Sequence, residues 1–441
     1  MSLRLLAGVS RSRPPAGLQT CLRAQTSSVI FQQTRGMRKG PPKVEKDDKG
    51  QIKKRNKKEG AAGVFSRSRE HVGSEADGTL AGLAEFKPKY VTEKTIGKAC
   101  VFSFSDNDPV RKFGLPKRLL LEYRILSRPY TVIRGVTVDL IGKLKAAKDR
   151  SSVESRLVLT GRSGAGKSCV LLQAVEYCAQ SNWVVIYIPR GVNLVNSTTP
   201  YAYDLRTRTY LQPQFAFQTL QRTLSVNQHL LSSLQTSKKH VFEKRELPVG
   251  SSIVDLIGIG IKDALSAPFI LDALVNELGQ QTKHPVLLAV DDFQALYCKT
   301  AYRDPFFSTI CSYHLSMPRM ILEFACGKRT FARGAVLGAI TYSDPAYALP
   351  LELREALGMA YDQATSGYDK RSKIMKEYTV GLRAICVPEQ LSMAEAGSLF
   401  EVWKEEKVMG CSAYDEVFLS KYSESSGNAG ELVRGVLSSL A

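Results

Sequence analysis

Gly161-Arg162-Ser163-Gly164-Ala165-Gly166-Lys167-Ser168 is the stretch that decides the fold of this chain. It matches the G-x-x-x-x-G-K-[ST] pattern, in which glycines let backbone N–H groups converge on phosphate oxygens. The apolar run 156–160 before it predicts a buried parallel strand. The run 169–178 after it, which lacks Gly and Pro, predicts a helix. Strand, glycine-rich loop and helix in this order predict a phosphate-binding site at a helix N-terminus.

Each position of this loop has an expected role. Lys167 is expected to reach the β- and γ-phosphates, and the Ser168 hydroxyl is expected to ligate Mg²⁺. The predicted nucleotide-binding residues are the loop and the residue that follows it: Gly161, Arg162, Ser163, Gly164, Ala165, Gly166, Lys167, Ser168 and Cys169.

Two adjacent carboxylates form the second part of the predicted site. The run Pro285-Val-Leu-Leu-Ala-Val-Asp-Asp292 reads as an apolar strand that ends in Asp291 and Asp292. Four apolar residues before an Asp are common, so the argument rests on their position downstream of the loop. Asp291 is then expected to hold Mg²⁺ through water, and Asp292 is the candidate catalytic residue that orients or activates a water.

A later strand, predicted over 334–343, ends in the hydroxyls of Thr341 and Ser343. Either hydroxyl could sense the γ-phosphate, although a plain turn at the strand end explains them equally well. Arg329 and Arg333 precede this strand. Each is a candidate arginine finger, with a solvated surface position as the default interpretation.

These elements predict an α/β fold: an AAA+-like P-loop NTPase sheet of parallel strands flanked by helices, with a smaller, mainly helical C-terminal domain and a disordered basic N-terminal extension. The predicted C-terminal helices include 370–384 and 392–408. The predicted domains are a mitochondrial transit peptide (1–38), a basic extension or linker (39–82), the nucleotide-binding domain (83–344) and the C-terminal domain (345–441).

The basic charge is concentrated at the N-terminus. Of the formal net charge of +19, residues 1–58 carry +12, and residues 1–44 contain no Asp or Glu. Arg-rich, Ser-rich and acid-free composition is typical of a mitochondrial transit peptide. The Lys-rich segment after it is either a solvated linker or an arm that binds RNA phosphates. No apolar run is long enough to span a bilayer, and the nine cysteines show no metal-binding spacing.

The segment 193–210 is long, rich in Tyr and Arg, and shows neither helical nor strand periodicity. Loops of this length in compact domains are usually functional or disordered. Tyrosines interleaved with Arg206 and Arg208 suit contact with RNA or with a protein, and the sequence does not separate these partners from simple folding back onto the domain.

Several stretches together resemble the death-associated protein 3 family, the P-loop protein of the mitochondrial ribosomal small subunit, most closely its fungal members. They are the glycine-rich loop, Asn196-Ser-Thr-Thr-Pro-Tyr-Ala-Tyr-Asp204, Thr209-Tyr-Leu-Gln-Pro-Gln214, Leu247-Pro-Val-Gly250 and Val290-Asp-Asp-Phe-Gln-Ala-Leu296. The resemblance covers roughly 83–441. It implies a matrix protein in the head of the small subunit that binds GTP or GDP with Mg²⁺ and contacts small-subunit rRNA and other mitoribosomal proteins, without forming a free homo-oligomer.

The residues themselves leave two questions open. No N/T-K-x-D motif follows a strand, so guanine is not distinguished from adenine and ATP is not excluded. The second carboxylate is an Asp, one methylene shorter than the Glu usual in active AAA+ enzymes, which favours slow or absent hydrolysis. The alternatives to a structural ribosomal protein are an AAA+-like motor or chaperone and, on the family name alone, an apoptosis adaptor.

Overall fold

The computed structural model of the chain describes residues 83–103, 108–126, 128–242, 245–361, 368–406 and 415–438. The predicted transit peptide and basic extension, 1–82, lie outside the described residues, as do the last two residues of the helix predicted over 392–408.

The helices and strands follow one another in a mixed order. From residue 99 to residue 280 they are β1 (Ala99–Val101), α1 (Pro109–Phe113), α2 (Lys117–Ile125), β2 (Tyr130–Val132), α3 (Gly135–Ala147), β3 (Arg156–Thr160), α4 (Lys167–Gln180), β4 (Val184–Ile188), β5 (Ala202–Asp204), β6 (Thr209–Leu211), α5 (Pro213–Leu231), β7 (His240–Phe242), β8 (Arg245–Leu247), α6 (Ile253–Lys262) and α7 (Ala267–Gln280). They continue with β9 (Val286–Val290), β10 (Lys299–Arg303), β11 (Thr309–Cys311), α8 (Ser316–Cys326), β12 (Gly334–Ala339), α9 (Leu351–Ala356), α10 (Lys373–Tyr378), β13 (Arg383–Cys386), α11 (Met393–Glu405), α12 (Asp415–Glu424) and α13 (Ala429–Ser438).

Five strands form one parallel sheet in the order β13-β3-β12-β9-β4. Strand β12 lies between β3, which leads into the glycine-rich loop, and β9, which leads into the paired carboxylates. Because all five strands run in the same direction, their carboxyl ends share one edge, where ligands of such sheets bind. The fold therefore gathers segments that are far apart in sequence at that edge.

The sheet is buried on both faces. Alternate residues of β4 divide between two cores: Val184 and Ile186 pack with α5, α6 and α7, whereas Val185 and Tyr187 pack on the opposite face with α3 and α4. A strand that points successive side chains to opposite faces needs apolar residues at every position when helices cover both faces. This explains the unbroken apolar runs that the sequence shows.

The structure confirms the parallel α/β sheet flanked by helices and the mainly helical C-terminal region. It also corrects two predicted elements. The helix predicted over 370–384 ends at Tyr378, because Gly381 adopts a φ of +77° and the chain then enters β13. Strand β13 pairs with β3, so the region after 345 supplies an edge strand to the sheet.

The second correction concerns 193–210, which contains a regular hairpin. Strands β5 and β6 pair antiparallel, and Asp204 accepts hydrogen bonds from Arg206 N and from the Thr207 hydroxyl in the turn. Each strand has only three residues, too few to show an alternating pattern. Packing of Tyr201 against Tyr302 of β10 holds the hairpin in place.

No helix among the described residues is both long and apolar enough to cross a membrane. The cysteines of the same residues are all free thiols.

Candidate functional site

The glycine-rich loop connects β3 to α4 as the sequence predicts. Gly164 and Gly166 have φ values of +79° and +88°, a backbone region that residues with a Cβ rarely adopt. Gly166 is the N-cap of α4, and its left-handed conformation turns the chain so that the helix begins at Lys167. The loop therefore lies directly at a helix N-terminus, where backbone N–H groups lack helical partners.

Lys167 is enclosed by the loop, with only 5% of its surface exposed. Its Nζ donates hydrogen bonds to the carbonyl oxygens of Gly161 at 2.8 Å and Arg162 at 2.6 Å. Burial lowers the pKa of Lys167 to about 8, and the nearby Asp291 carboxylate opposes this shift. An anion beside Lys167 would offset the cost of burying its charge.

The predicted Mg²⁺ ligands, Ser168 and Asp291, lie next to each other. Asp291 is 1% exposed, and burial raises its pKa, with the negative charge of Asp292 adding to the rise. A hydrogen bond from Ser168 acts in the opposite direction. Two oxygen ligands at one point match the way Mg²⁺ is held by few protein groups, waters and phosphates.

Asp292, the candidate catalytic residue, is fixed by its neighbours. It has a left-handed backbone conformation with φ +55°. Its carboxylate accepts a hydrogen bond from the hydroxyl of Thr341, one of the two predicted sensors. Burial raises the pKa of Asp292, and this hydrogen bond opposes the rise. Ser343, the other predicted sensor, lines the same cavity.

Gln294 is a site residue that the sequence does not reveal. Its side-chain amide donates to the carbonyl oxygen of Thr341 at 2.7 Å and accepts from the Thr341 backbone N–H at 3.1 Å. Gln294 thus joins the segment after β9 to the segment after β12. A glutamine three residues after an Asp carries no pattern that predicts this pairing.

Arg134 is another site residue that no sequence pattern predicts, and its hydrogen bonds connect the glycine-rich loop to the C-terminal region. It is 6% exposed and donates to the carbonyl oxygens of Ala165 at 2.6 Å, Pro388 at 3.1 Å and Gln390 at 3.2 Å. Its Nε lies 3.4 Å from the Glu395 carboxylate. A single arginine before a helix gives no sequence signal for contacts more than 250 residues away.

Helix α13 begins on the glycine-rich loop. Asn428 donates from its side-chain amide to the Ser163 carbonyl oxygen at 3.0 Å, and Gly430 N–H donates to the Gly164 carbonyl oxygen at 2.9 Å. A Cβ at position 430 would lie 2.8 Å from Gly164 Cα. The two glycines therefore permit the close approach of helix and loop.

The remaining predicted loop residues lie around these groups. Arg162 is largely exposed, with its guanidinium 3.9 Å from the Glu389 carboxylate, whereas Ala165 is buried. Cys169 lies beneath the loop, with its Sγ 3.2 Å from the Thr131 hydroxyl.

The two candidate arginine fingers do not lie at this site. Arg329 forms an ion pair with Asp272 at 2.7 Å, and Arg333 forms one with Asp149. Both arginines precede β12, whereas the glycine-rich loop lies at the carboxyl ends of the strands. Neither residue reaches this loop within its own chain, and the default interpretation, a solvated surface position, fits both arginines, each paired with a carboxylate.

A cavity of about 580 Å³ joins the groups described above. Loop residues, both aspartates and Thr341 line it together with residues of α2, β2, α11 and α13. The described residues contain no group of three or more His, Cys, Asp or Glu that could hold a metal by itself. A loop at a helix N-terminus with an enclosed lysine and a Ser–Asp pair fits a nucleotide phosphate that brings Mg²⁺ with it.

Comparison with known proteins supplies the family. Residues 131–435 match the sequence model of mitochondrial ribosomal death-associated protein 3. The chain belongs to this family. Its relatives include the small ribosomal subunit protein mS29 of Neurospora crassa, 29% identical over 71% of this chain and 69% of the relative.

Two further relatives of the death-associated protein 3 family carry the same name. The Schizosaccharomyces pombe protein mS29 is 27% identical over 66% of this chain and 63% of its own length. The mouse protein mS29 is 24% identical over 66% of this chain and 76% of its own length. The matched family region contains the glycine-rich loop, both aspartates, Thr341 and the start of α13, so every group of the cavity edge described above lies within it.

Proposed function

We propose that this protein is a structural component of the mitochondrial ribosomal small subunit and holds a purine nucleotide, GTP or GDP, with Mg²⁺ as a fixed part of the particle. The observation that carries the nucleotide is the meeting of Lys167, Ser168 and Asp291 at one cavity edge. The family match and the names of the mS29 relatives support the ribosomal assignment and a mitochondrial location, which we propose is the matrix.

Within this proposal the groups have separate tasks. Lys167 neutralises phosphate oxygens, and backbone N–H groups at the start of α4 bind them. Ser168 and Asp291 position the Mg²⁺ that accompanies the phosphates. The start of α13 and the Arg134 contacts hold the loop against the C-terminal region, so a nucleotide at the loop stabilises both parts together.

Slow or absent hydrolysis suits the geometry around Asp292. A general base needs its carboxylate within hydrogen-bond reach of a water, and displacement by about 1 Å costs much of the rate. Here the Asp292 side chain is short, and its carboxylate already accepts a hydrogen bond from the Thr341 hydroxyl. Neither Arg329 nor Arg333 reaches the phosphates in its own chain.

The alternative, an AAA+-like motor or chaperone, makes the opposite prediction about turnover. Purified protein should hydrolyse GTP and ATP far more slowly than on the order of 1 s⁻¹, the range of working enzymes. Turnover near that rate, lost on Lys167→Ala, would overturn the structural role.

Membership of the particle is tested in mitochondria. Tagged protein should sediment with small ribosomal subunits on gradients at high salt, in contact with small-subunit rRNA and neighbouring proteins rather than as a free homo-oligomer. Protein that stays at the top of the gradient would contradict the assignment.

The basic segment 39–58 is proposed to bind rRNA phosphates. Deleting it should weaken RNA association and flatten its salt dependence, because fewer counterions are released. An unchanged salt slope would show that the segment is a linker.

A further inference from the structure

The wall of the cavity that α2, β2, α11 and α13 supply is largely apolar, and we call it the apolar chamber. We define it by the six side chains that line it: Leu119, Tyr123, Tyr130, Leu399, Trp403 and Val433. Three of the four elements that supply them, α2, α11 and α13, are helices that lie outside the central sheet. Four of the side chains, including both tyrosines and Trp403, are less than 9% exposed. Aromatic and aliphatic walls beside a phosphate loop suit a planar base, because ligand sites of this size are mostly apolar with a few placed polar groups.

Two polar groups face this apolar chamber without partners. The Glu122 carboxylate lines the cavity and has no hydrogen bond or ion pair among the described residues. The Tyr130 hydroxyl is buried, and it too lacks a hydrogen-bond partner there. A buried polar group is normally hydrogen-bonded, as the Tyr130 hydroxyl here is not, and the half-buried Glu122 carboxylate lies at the cavity with its acceptor positions free for a polar ligand.

The chamber and the phosphate end are close enough to share a neighbour. Arg118, one turn before Glu122 on α2, lines the same cavity. Burial raises the pKa of Glu122 to about 7, and Arg118 opposes this rise. Burial lowers the pKa of Lys167, and Arg118 adds to that lowering. Arg118 thus lies within electrostatic reach of both Glu122 and Lys167.

A carboxylate distinguishes the two purines by its hydrogen bonds. An ionised carboxylate accepts and does not donate. Guanine presents two adjacent donors, its N1–H and its 2-amino group, which one carboxylate can accept together. Adenine presents a bare N1 lone pair at the same place, which repels a carboxylate.

We propose that Glu122 reads the base of the bound nucleotide by accepting hydrogen bonds from guanine N1–H and from the guanine 2-amino group. The assignment rests on the nucleotide site proposed above and adds to it the residue that sets guanine over adenine. Tyr123, Trp403 and Val433 then enclose the base, and Tyr130 supplies a second polar contact.

The test measures binding of GDP, IDP, XDP and ADP to the full-length protein by calorimetric titration in the presence of Mg²⁺. Wild-type protein should bind GDP at least about tenfold more tightly than IDP, which lacks the 2-amino group, and more tightly than ADP, because a charge-assisted hydrogen bond is lost. This comparison needs no variant, so it holds whatever a substitution does to folding.

Glu122→Gln tests whether a change at this position produces a gain in affinity for XDP. Its amide keeps one acceptor for N1–H and offers a donor to the 2-oxo group of xanthine. The variant should lose at least about tenfold in GDP affinity and gain at least about tenfold for XDP. Glu154→Gln makes the same substitution before β3, at the opposite edge of the sheet, and should leave all four affinities unchanged.

The outcomes separate the two proposals. If GDP binds, Lys167→Ala abolishes binding, and Glu122→Gln keeps the wild-type order of affinities, the nucleotide site stands and the role of Glu122 is overturned. Equal wild-type affinity for GDP, IDP and ADP overturns it as well. If wild-type protein binds none of the four nucleotides, the nucleotide site itself is overturned.

Discussion

Replacement of Arg134 by Met should destabilise the protein by about 3–5 kcal/mol. The guanidinium is buried, donates to three carbonyl oxygens and lies 3.4 Å from the Glu395 carboxylate. Hydrogen bonds to charged groups contribute about 1.5–3 kcal/mol each, and burial of the charge offsets much of that gain. Removing Arg134 leaves the Ala165 oxygen without this donor and the buried Glu395 carboxylate without its counter-charge, with the Ser392 N–H as a remaining partner, which gives the range expected for a broken buried pair.

The assay is urea unfolding of the full-length chain followed by tryptophan fluorescence. The signal comes from two buried tryptophans, Trp183 and Trp403, of which Trp403 lies on α11, two turns after Glu395, in the segment that Arg134 holds. Arg434→Met is the matched control. Its side chain is 62% exposed and, among the described residues, pairs only with Glu431 three residues before it on α13, so its loss should cost less than about 0.5 kcal/mol.

A second substitution separates charge from packing. Glu395→Gln in the Arg134→Met background should recover part of the loss, because it removes the uncompensated carboxylate. A loss below about 1 kcal/mol for Arg134→Met, similar to that of the control, would refute the role of Arg134 as the tie between loop and C-terminal region.

Three further predictions concern packing and titration. Gly338→Ala should lower the free energy of unfolding in urea by about 1–3 kcal/mol, because the new Cβ would lie 2.6 Å from the Phe293 ring. Gly142→Ala, which has open space around it in α3, should raise that free energy by about 0.5–1 kcal/mol. Equal effects of the two substitutions would contradict this packing. Burial lowers the pKa of Lys167 to about 8, and a phosphate binds the charged form of this lysine. The affinity for GDP should therefore fall by up to about tenfold between pH 8 and 9. An unchanged affinity in calorimetric titration over this range would contradict the prediction. Burial raises the pKa of Glu122 from 4.5 to about 7, so the folded state keeps a proton that the unfolded state releases, and stability falls as pH rises across that window. As the pH rises from 4.5 to 7.5, the unfolding free energy of Glu122→Gln should therefore rise by on the order of 1–3 kcal/mol relative to that of the wild type. A difference between the two proteins that stays constant with pH would count against this prediction.

Much of the site could be predicted because its parts are local. The order of strand, glycine-rich loop and helix places Lys167 and Ser168 at a helix N-terminus, and the apolar run before Asp291 places that carboxylate at a strand end. Parallel strands then bring both groups to one edge, as the structure bears out. The roles of these residues in nucleotide and Mg²⁺ binding remain predictions.

The errors arose where tertiary contacts decide local structure. The hairpin of β5 and β6 depends on packing against Tyr302, and β13 depends on pairing with β3; neither partner lies near in sequence. For Arg329 and Arg333 the sequence left a finger role beside the default of a solvated surface position. The sheet direction, which puts the start of β12 away from the loop, favours the default.

The sequence by itself therefore determined the glycine-rich loop between strand and helix and the parallel α/β class, because both follow from short-range patterns of glycine and apolar residues. Only the tertiary structure decided what surrounds the loop. Arg134 and the start of α13 reach it through backbone carbonyl oxygens, and Gln294 joins the segments after β9 and β12 through its amide; such contacts carry no sequence signature. The apolar chamber with Glu122 likewise exists only because α2, α11 and α13 pack around one end of the sheet.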